Sequence, residues 1–238
     1  MPEPAQPAVP GLRAVREPAR PGLGRRTTGR QTGRVTDDLA DPKAALKHYL
    51  QRNREALVWK LEGLSERDRR LPRTPTGLTL AGIVKHCANV EIGYFGTTFG
   101  RPWPTPEDAC YVPLEAYDAD PQADWYLSVD VSSADLVAFY RRVWEFADRS
   151  IDELALDAVG APPWWGDPAE HQVTLHHMLV RVIDDTARHA GQADVVREAI
   201  DGAAGLNPSS PNLPGDDFDW AGYRAKLTDI ADSLPREG

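Results

Sequence analysis

The sequence predicts an all-α protein: an up-and-down four-helix bundle with long inter-helix loops and a short C-terminal helix. Three observations carry this. Apolar residues recur three and four apart along four long segments. Residues that cap helices stand at the starts of those segments. No convincing period-2 run, Asn-Gly or Asp-Gly hairpin signal or internal repeat competes with them. Amphipathic helices of this number and length bury their apolar faces most simply against one another.

Order is expected from Asp41-Pro42, since aspartate is a good N-cap and proline suits the first helical position. Leu46, Tyr49, Leu50, Leu57, Leu61 and Leu64 then mark a first helix near 43–64, before Pro72, Pro75 and Gly77 break the pattern. Thr79 caps a second, with Leu80, Ile83, Val84, Cys87 and Val90 as its buried stripe and Gly100 with Pro102 at its end. The third starts at Ser132, with Asp135 as capping-box partner, and reaches Leu154. The fourth runs from Thr174 to Gly202, and a short last helix is expected near 217–233. The connections 100–131 and 155–173 exceed the usual loop length. They hold Trp103, Trp125, Trp164 and Trp165, so they are expected to pack.

Composition narrows the function. No stretch is apolar enough to span a membrane and no secretory signal is visible, so a cytoplasmic address is the default expectation. Residues 1–34 hold seven arginines, two glutamates, six prolines and five glycines, with little to bury. That composition predicts a disordered extension, with residues 36–234 as the folded domain. A solvated tail, or a chain that starts at Val35, is preferred for it over a basic arm touching a partner. Beyond residue 34 the net charge is −14, which repels polyanions, so no nucleic-acid partner is expected for the folded domain. Two cysteines, Cys87 and Cys110, make no disulfide framework.

The chemistry concentrates on histidines. His189 follows Asp185 by four residues, so both side chains leave one face of the fourth helix and can close on one divalent ion. His86 flanks the buried stripe of the second helix, where a crossing neighbour can bring it to the same point. Two nitrogens and one oxygen would leave an open coordination position. The plainer alternative is a hydrogen-bonded core histidine beside an ordinary i,i+4 pair. His48, His171, His176 and His177 read as structural or solvent-facing, and Cys87 points about 100° away from its neighbour His86. Glu91, Tyr94, Arg188 and Arg197 are polar groups near the trio in sequence, and Arg188 reads as surface. Trp164-Trp165 leaves two readings open, the mouth of a pocket and a plug at the end of the bundle. Neither cysteine looks like a nucleophile. No Walker A loop, dinucleotide-binding glycine loop, serine elbow or Cys-x-x-Cys is present.

The segment Thr79-Leu80-Ala81-Gly82-Ile83-Val84-Lys85-His86, followed by Val90-Glu91, resembles the second-helix motif of the DinB-like superfamily. Asp185-Thr186-Ala187-Arg188-His189-Ala190-Gly191-Gln192-Ala193-Asp194, with Arg197-Glu198, resembles that superfamily's fourth-helix motif. Ile200-Asp201-Gly202, Trp220 and Tyr223 are similar too, and the likeness covers roughly residues 36–232. The resemblance implies an up-and-down four-helix bundle that holds a divalent metal, zinc or nickel, on three ligands. In relatives such as the N-terminal domain of mycothiol-dependent maleylpyruvate isomerase, these ligands match His86, Asp185 and His189 here. The close subgroup usually carries glutamate where Asp185 stands, so the shorter aspartate can meet the metal through water. It also often has histidines where this chain has Arg181 and Gln192.

By this resemblance the expected activity is transfer of a low-molecular-weight thiol, such as mycothiol, to an electrophilic small molecule, or a related isomerisation. A metal-activated thiolate would be the nucleophile, with mycothiol as cosubstrate. No catalytic base is identifiable. A metal-dependent hydrolase and a non-catalytic metal- or ligand-binding bundle, monomer or homodimer, stand as alternatives. Arginine outnumbers lysine 22 to five, which fits a GC-rich coding sequence.

Overall fold

A computed structural model describes residues 39–215 and 217–235. The arginine-rich start, expected to be disordered, lies outside the described residues. Among them the chain is mostly helical, with one two-stranded sheet. Helix α1 spans Pro42–Trp59 and opens as its sequence requires: the Asp41 carboxylate accepts from the Ala44 amide at 2.7 Å and Pro42 takes the first turn. It stops short of the expected residue 64. The chain turns through Gly63 at φ +74°, a left-handed conformation that glycine adopts without a Cβ clash. Leu61 is buried and Leu64 packs on the core from this turn, so the leucine spacing outlasts the helix. A short helix α2, Glu66–Arg70, follows under a Ser65 cap.

Helix α3, Leu80–Glu91, is capped by Thr79, whose hydroxyl accepts from the Gly82 amide at 2.9 Å. The sequence predicts one helix to Gly100. Its path does reach that glycine, at φ +71°, but by way of a π turn, Ile92–Gly96, and a 3-10 turn, Thr97–Phe99. Close packing accounts for this. A Cβ at Gly96 would lie 2.6 Å from both the Phe146 ring and the Arg101 carbonyl, so the widened turn brings backbone where a side chain would otherwise stand.

After the short α4, Ala116–Ala119, helix α5 spans Ser133–Glu153 behind the expected Ser132–Asp135 capping box. Helix α6 spans Leu175–Asp201, from a Thr174 cap to Gly202 at φ +81°. Strands β1, Val159–Gly160, and β2, Val173–Thr174, pair antiparallel just before α6. Two residues per strand are too few to show a period in sequence, which explains why no strand was expected. Helix α7, Trp220–Asp232, is exposed along its whole length.

Helix α6 packs along α1, and α3 packs against both α5 and α6. Their apolar faces form one core centred on Leu57, Ile83, Val84, Leu136 and Val143, and a second on Leu50, Phe95, Ile151, Leu175 and Leu179. Buried among them is an ionic network that joins three helices. Arg54 of α1 donates to both oxygens of Glu91 on α3, its closest approach being 2.5 Å, and to Asp148 of α5 at 2.9 Å. The Tyr140 hydroxyl of α5 donates to Glu91 at 2.9 Å. Burial works against the Arg54 charge, but Glu91 and Asp148 more than offset it and raise its pKa.

The connection between α3 and α5 is held by side chains of α3, as its tryptophans lead one to expect. Lys85 donates to the carbonyls of Ala123 and Tyr126, at 2.7 and 2.9 Å. Asn89 donates to the Cys110 carbonyl and accepts from the Val112 amide. Gly82 makes the approach sterically feasible, because a Cβ there would lie 2.0 Å from the Trp125 carbonyl oxygen. Gly82→Ala should therefore push the 123–126 segment off α3. A stability loss of about 1–3 kcal/mol is expected in urea unfolding. An alanine variant matching wild type would show that the segment can yield at no cost.

Candidate metal centre

The elements just described bring His86 of α3 to Asp185 and His189 of α6. One donor atom from each lies within 4.8 Å of the others, and among the described residues this is the one such trio. His189 Nε2 stands 3.7 Å from Asp185 Oδ2. The two imidazoles meet edge to face with centroids 4.9 Å apart. The Asp185–His189 pair follows from four-residue spacing on a helix. His86 joins it because α3 packs on α6.

Both imidazoles are held from behind. His86 Nδ1 lies 2.7 Å from Asp124 Oδ2, and an ionised carboxylate can only accept, so Nδ1 carries a proton and in the neutral ring Nε2 has the lone pair. His189 Nδ1 lies 2.8 Å from the Gln192 side-chain oxygen, which selects the same tautomer. Trp125 stacks on His86 at 4.1 Å and 19°, and meets His189 edge-on at 5.3 Å. Burial depresses the His189 pKa, with bonding to Gln192 and the Asp185 charge acting the other way, and the neutral form is the one that ligates metals.

Sequence reasoning missed Asp124 and Trp125 as site residues. They sit in a long connection with no periodicity, far along the chain from their partner His86; the His86–Asp124 contact spans 38 residues. Gln192 lies three residues beyond His189, a helical spacing that signals the contact. Asp124→Asn keeps an acceptor oxygen for His86 but removes the charge that strengthens imidazole as a ligand. Zinc affinity should fall about 10–100-fold in a competition titration, with the melting temperature little changed.

The donors fit a divalent ion. Asp185 Oδ2 is buried without a hydrogen-bond partner, a costly state for a carboxylate oxygen that a cation would relieve. Two imidazole nitrogens and one carboxylate oxygen are the ligand type of three-ligand zinc sites with an open position.

The other sequence candidates are elsewhere. His48, His171, His176 and His177 are exposed, as is Arg188. Glu91 belongs to the Arg54 network, and Arg197 donates to the Lys60 and Glu62 carbonyls after α1 and to Asp201. Of the tryptophan pair, Trp164 lies against Gly93 and lines a cavity, whereas Trp165 packs on the second core. Cys87 and Cys110 are buried. Burial, reinforced by nearby carboxylates, pushes the Cys87 thiol up, and burial takes Cys110 to about 11. Neither thiol should react with iodoacetamide at pH 8 until the protein is unfolded, and rapid labelling of the native chain would contradict that burial.

A cavity of about 530 Å³ opens beside the trio, between α3, the π turn, the 111–124 segment and Trp164, with His86 and Asp124 in its wall. That volume suits a small organic ligand. No helix among the described residues is long and apolar enough to cross a membrane. No curated protein matches the chain. A family model does: that of mycothiol S-transferase, over residues 45–202, from within α1 to the glycine that ends α6. The matched segment contains the trio and the residues that hold it, and its family lies within the DinB-like superfamily that the helix motifs resemble. This chain belongs to the mycothiol S-transferase family.

Proposed function

We propose that this protein transfers a low-molecular-weight thiol of the mycothiol class to an electrophilic small molecule, at a divalent ion held by His86, Asp185 and His189. The observation that carries the reading is the convergence of three donors, one of them a buried carboxylate oxygen without a partner, at a point where His86 also lines a cavity of ligand size. The four long helices are read as the up-and-down bundle of the superfamily, within residues 36–234. A bound divalent ion would supply Lewis acidity that makes thiolate available near neutral pH.

The chain's own residues do the rest. Asp124 and Gln192 hold the Nδ1 protons of the two histidines, so both Nε2 lone pairs stay available for ligation. Trp125 covers the His86 ring and limits water at the site. The buried, protonated cysteines leave the nucleophilic sulfur to the incoming thiol. In the transfer, the thiol loses its proton to solvent and its sulfur forms a bond to the electrophilic carbon. The leaving group departs with its bonding pair.

The test is a product assay with zinc- or nickel-loaded protein, bromobimane as electrophile, and mycothiol, glutathione or cysteine as the thiol. Conjugation accelerated with mycothiol above the uncatalysed rate is expected. No acceleration with any thiol, alongside cleavage of simple esters without thiol, would replace transfer by metal-activated hydrolysis.

A further inference from the structure

The cavity beside the trio has a charge character that neither the family nor the metal reading supplies. Aromatic rings of Tyr94, Tyr111, Tyr117 and Trp164 make much of its wall. Glu115 and Asp124 contribute carboxylates, and none of the described residues lining it is lysine or arginine. Arg181 packs outside that lining, on Tyr94 and Trp165, with its Nε donating to the Tyr94 hydroxyl.

Asp124 gives this lining a buried anionic group that no lysine or arginine of the lining neutralises. Its side chain is 4% exposed, Oδ2 is engaged by His86, and Oδ1 is buried with no hydrogen-bond partner. Tyr117 stands against the same carboxylate: burial, the Asp124 charge and hydrogen bonding to Asp124 raise its phenol pKa, so it stays protonated. We infer that the cavity selects electrophiles bearing an organic ammonium group, which would sit against Asp124 Oδ1 and the tyrosine and tryptophan faces, and rejects those bearing a carboxylate.

Two forces act in the same direction. A cation over aromatic faces is attracted by their quadrupoles, the more so when desolvated. A carboxylate brought to the same place meets two like charges in a partly buried setting. A divalent ion at the trio does not reverse this, because the carboxylates of Asp185, Asp124 and Glu115 outweigh it and an incoming thiolate adds further negative charge. Glu115 is exposed at the rim, so it biases entry, whereas Asp124 is the contact inside.

This inference rests on the cavity being the electrophile's place in the proposed transfer, and it can be tested without turnover. Full-length zinc-loaded protein is titrated calorimetrically with benzyltrimethylammonium, benzyl alcohol and phenylacetate. The ammonium is expected to bind about tenfold or more tighter than the carboxylate, the advantage of one well-placed cation–π and ion-pair contact. Glu115→Lys should reduce that ratio several-fold, and raising the salt concentration should narrow it. A second arm compares bromobimane with its trimethylammonium analogue as electrophiles for mycothiol, and the cationic reagent should show the lower KM. Equal or tighter binding of phenylacetate, absence of binding by all three probes, or a ratio unmoved by Glu115→Lys would each overturn the inference. Ammonium binding without transfer by any thiol would overturn the proposed transfer alone. Transfer with a preference for carboxylate-bearing electrophiles would overturn the charge selection alone.

Discussion

His86→Ala and His189→Ala proteins should take up no stoichiometric zinc or nickel while remaining folded, where the wild type is expected to bind close to one ion per chain. Each substitution removes one of the three proposed protein donors, so the loss should exceed the ~10–100-fold that a change in a ligand's supporting partner costs. Asp185→Asn should fall between, since an amide oxygen still reaches the site but carries no charge. The measurement is metal content by plasma mass spectrometry on protein without a histidine tag, beside thermal melts. His189 is buried, so His189→Gln serves as a less disruptive second variant. Near-stoichiometric metal in folded His86→Ala protein would show that the trio is not the ligand set. Folded wild type that takes up no metal when supplied would remove the metal-dependent mechanism, leaving His86 as a hydrogen-bonded core histidine.

The largest expected effect on stability lies away from that site. Arg54→Met should destabilise the fold by about 3–5 kcal/mol, because it leaves the Glu91 carboxylate in the core without its counter-ion. The side chains of Arg54 and Glu91 are 1% and 0% exposed, so water cannot take over the lost contacts without opening the junction of α1, α3 and α5. The companion double variant, Arg54→Met with Glu91→Leu, should recover much of the loss, since the Tyr140 hydroxyl is the fully buried group left unmet and Asp148, which also loses Arg54, is exposed enough for water to serve it. Urea unfolding of the two variants checks both expectations. A single variant within about 1 kcal/mol of wild type would mean that the Glu91 charge finds solvent or a proton on its own.

These two networks differ in how far sequence discloses them. Asp185 and His189 are one turn apart on a helix whose period is plain, so their shared face can be read directly. Arg54 sits among charged and polar neighbours on α1, and nothing local distinguishes a buried arginine from the solvated ones around it. Nearness in sequence to His86 puts Glu91 beside the metal candidates. In the structure it faces Arg54 and Tyr140 instead, because the five-residue step from His86 carries it to another side of α3.

By itself the sequence determined what depends on neighbours along the chain. The helical class, the caps at Asp41, Thr79, Ser132 and Thr174, the stops at Gly100 and Gly202, and the Asp185–His189 pair are all set by backbone hydrogen bonds and side chains within one or two turns. Tertiary structure decided what depends on close approach between distant segments. It ended α1 at Trp59, widened α3 into a π turn where Gly96 meets Phe146, and laid the 123–126 segment over Gly82 so that Asp124 and Trp125 reach His86. The His86–Asp124 contact spans 38 residues and is made from a loop that Lys85 also holds on α3 through the Ala123 and Tyr126 carbonyls. No periodicity encodes such a contact, because the loop that makes it has none.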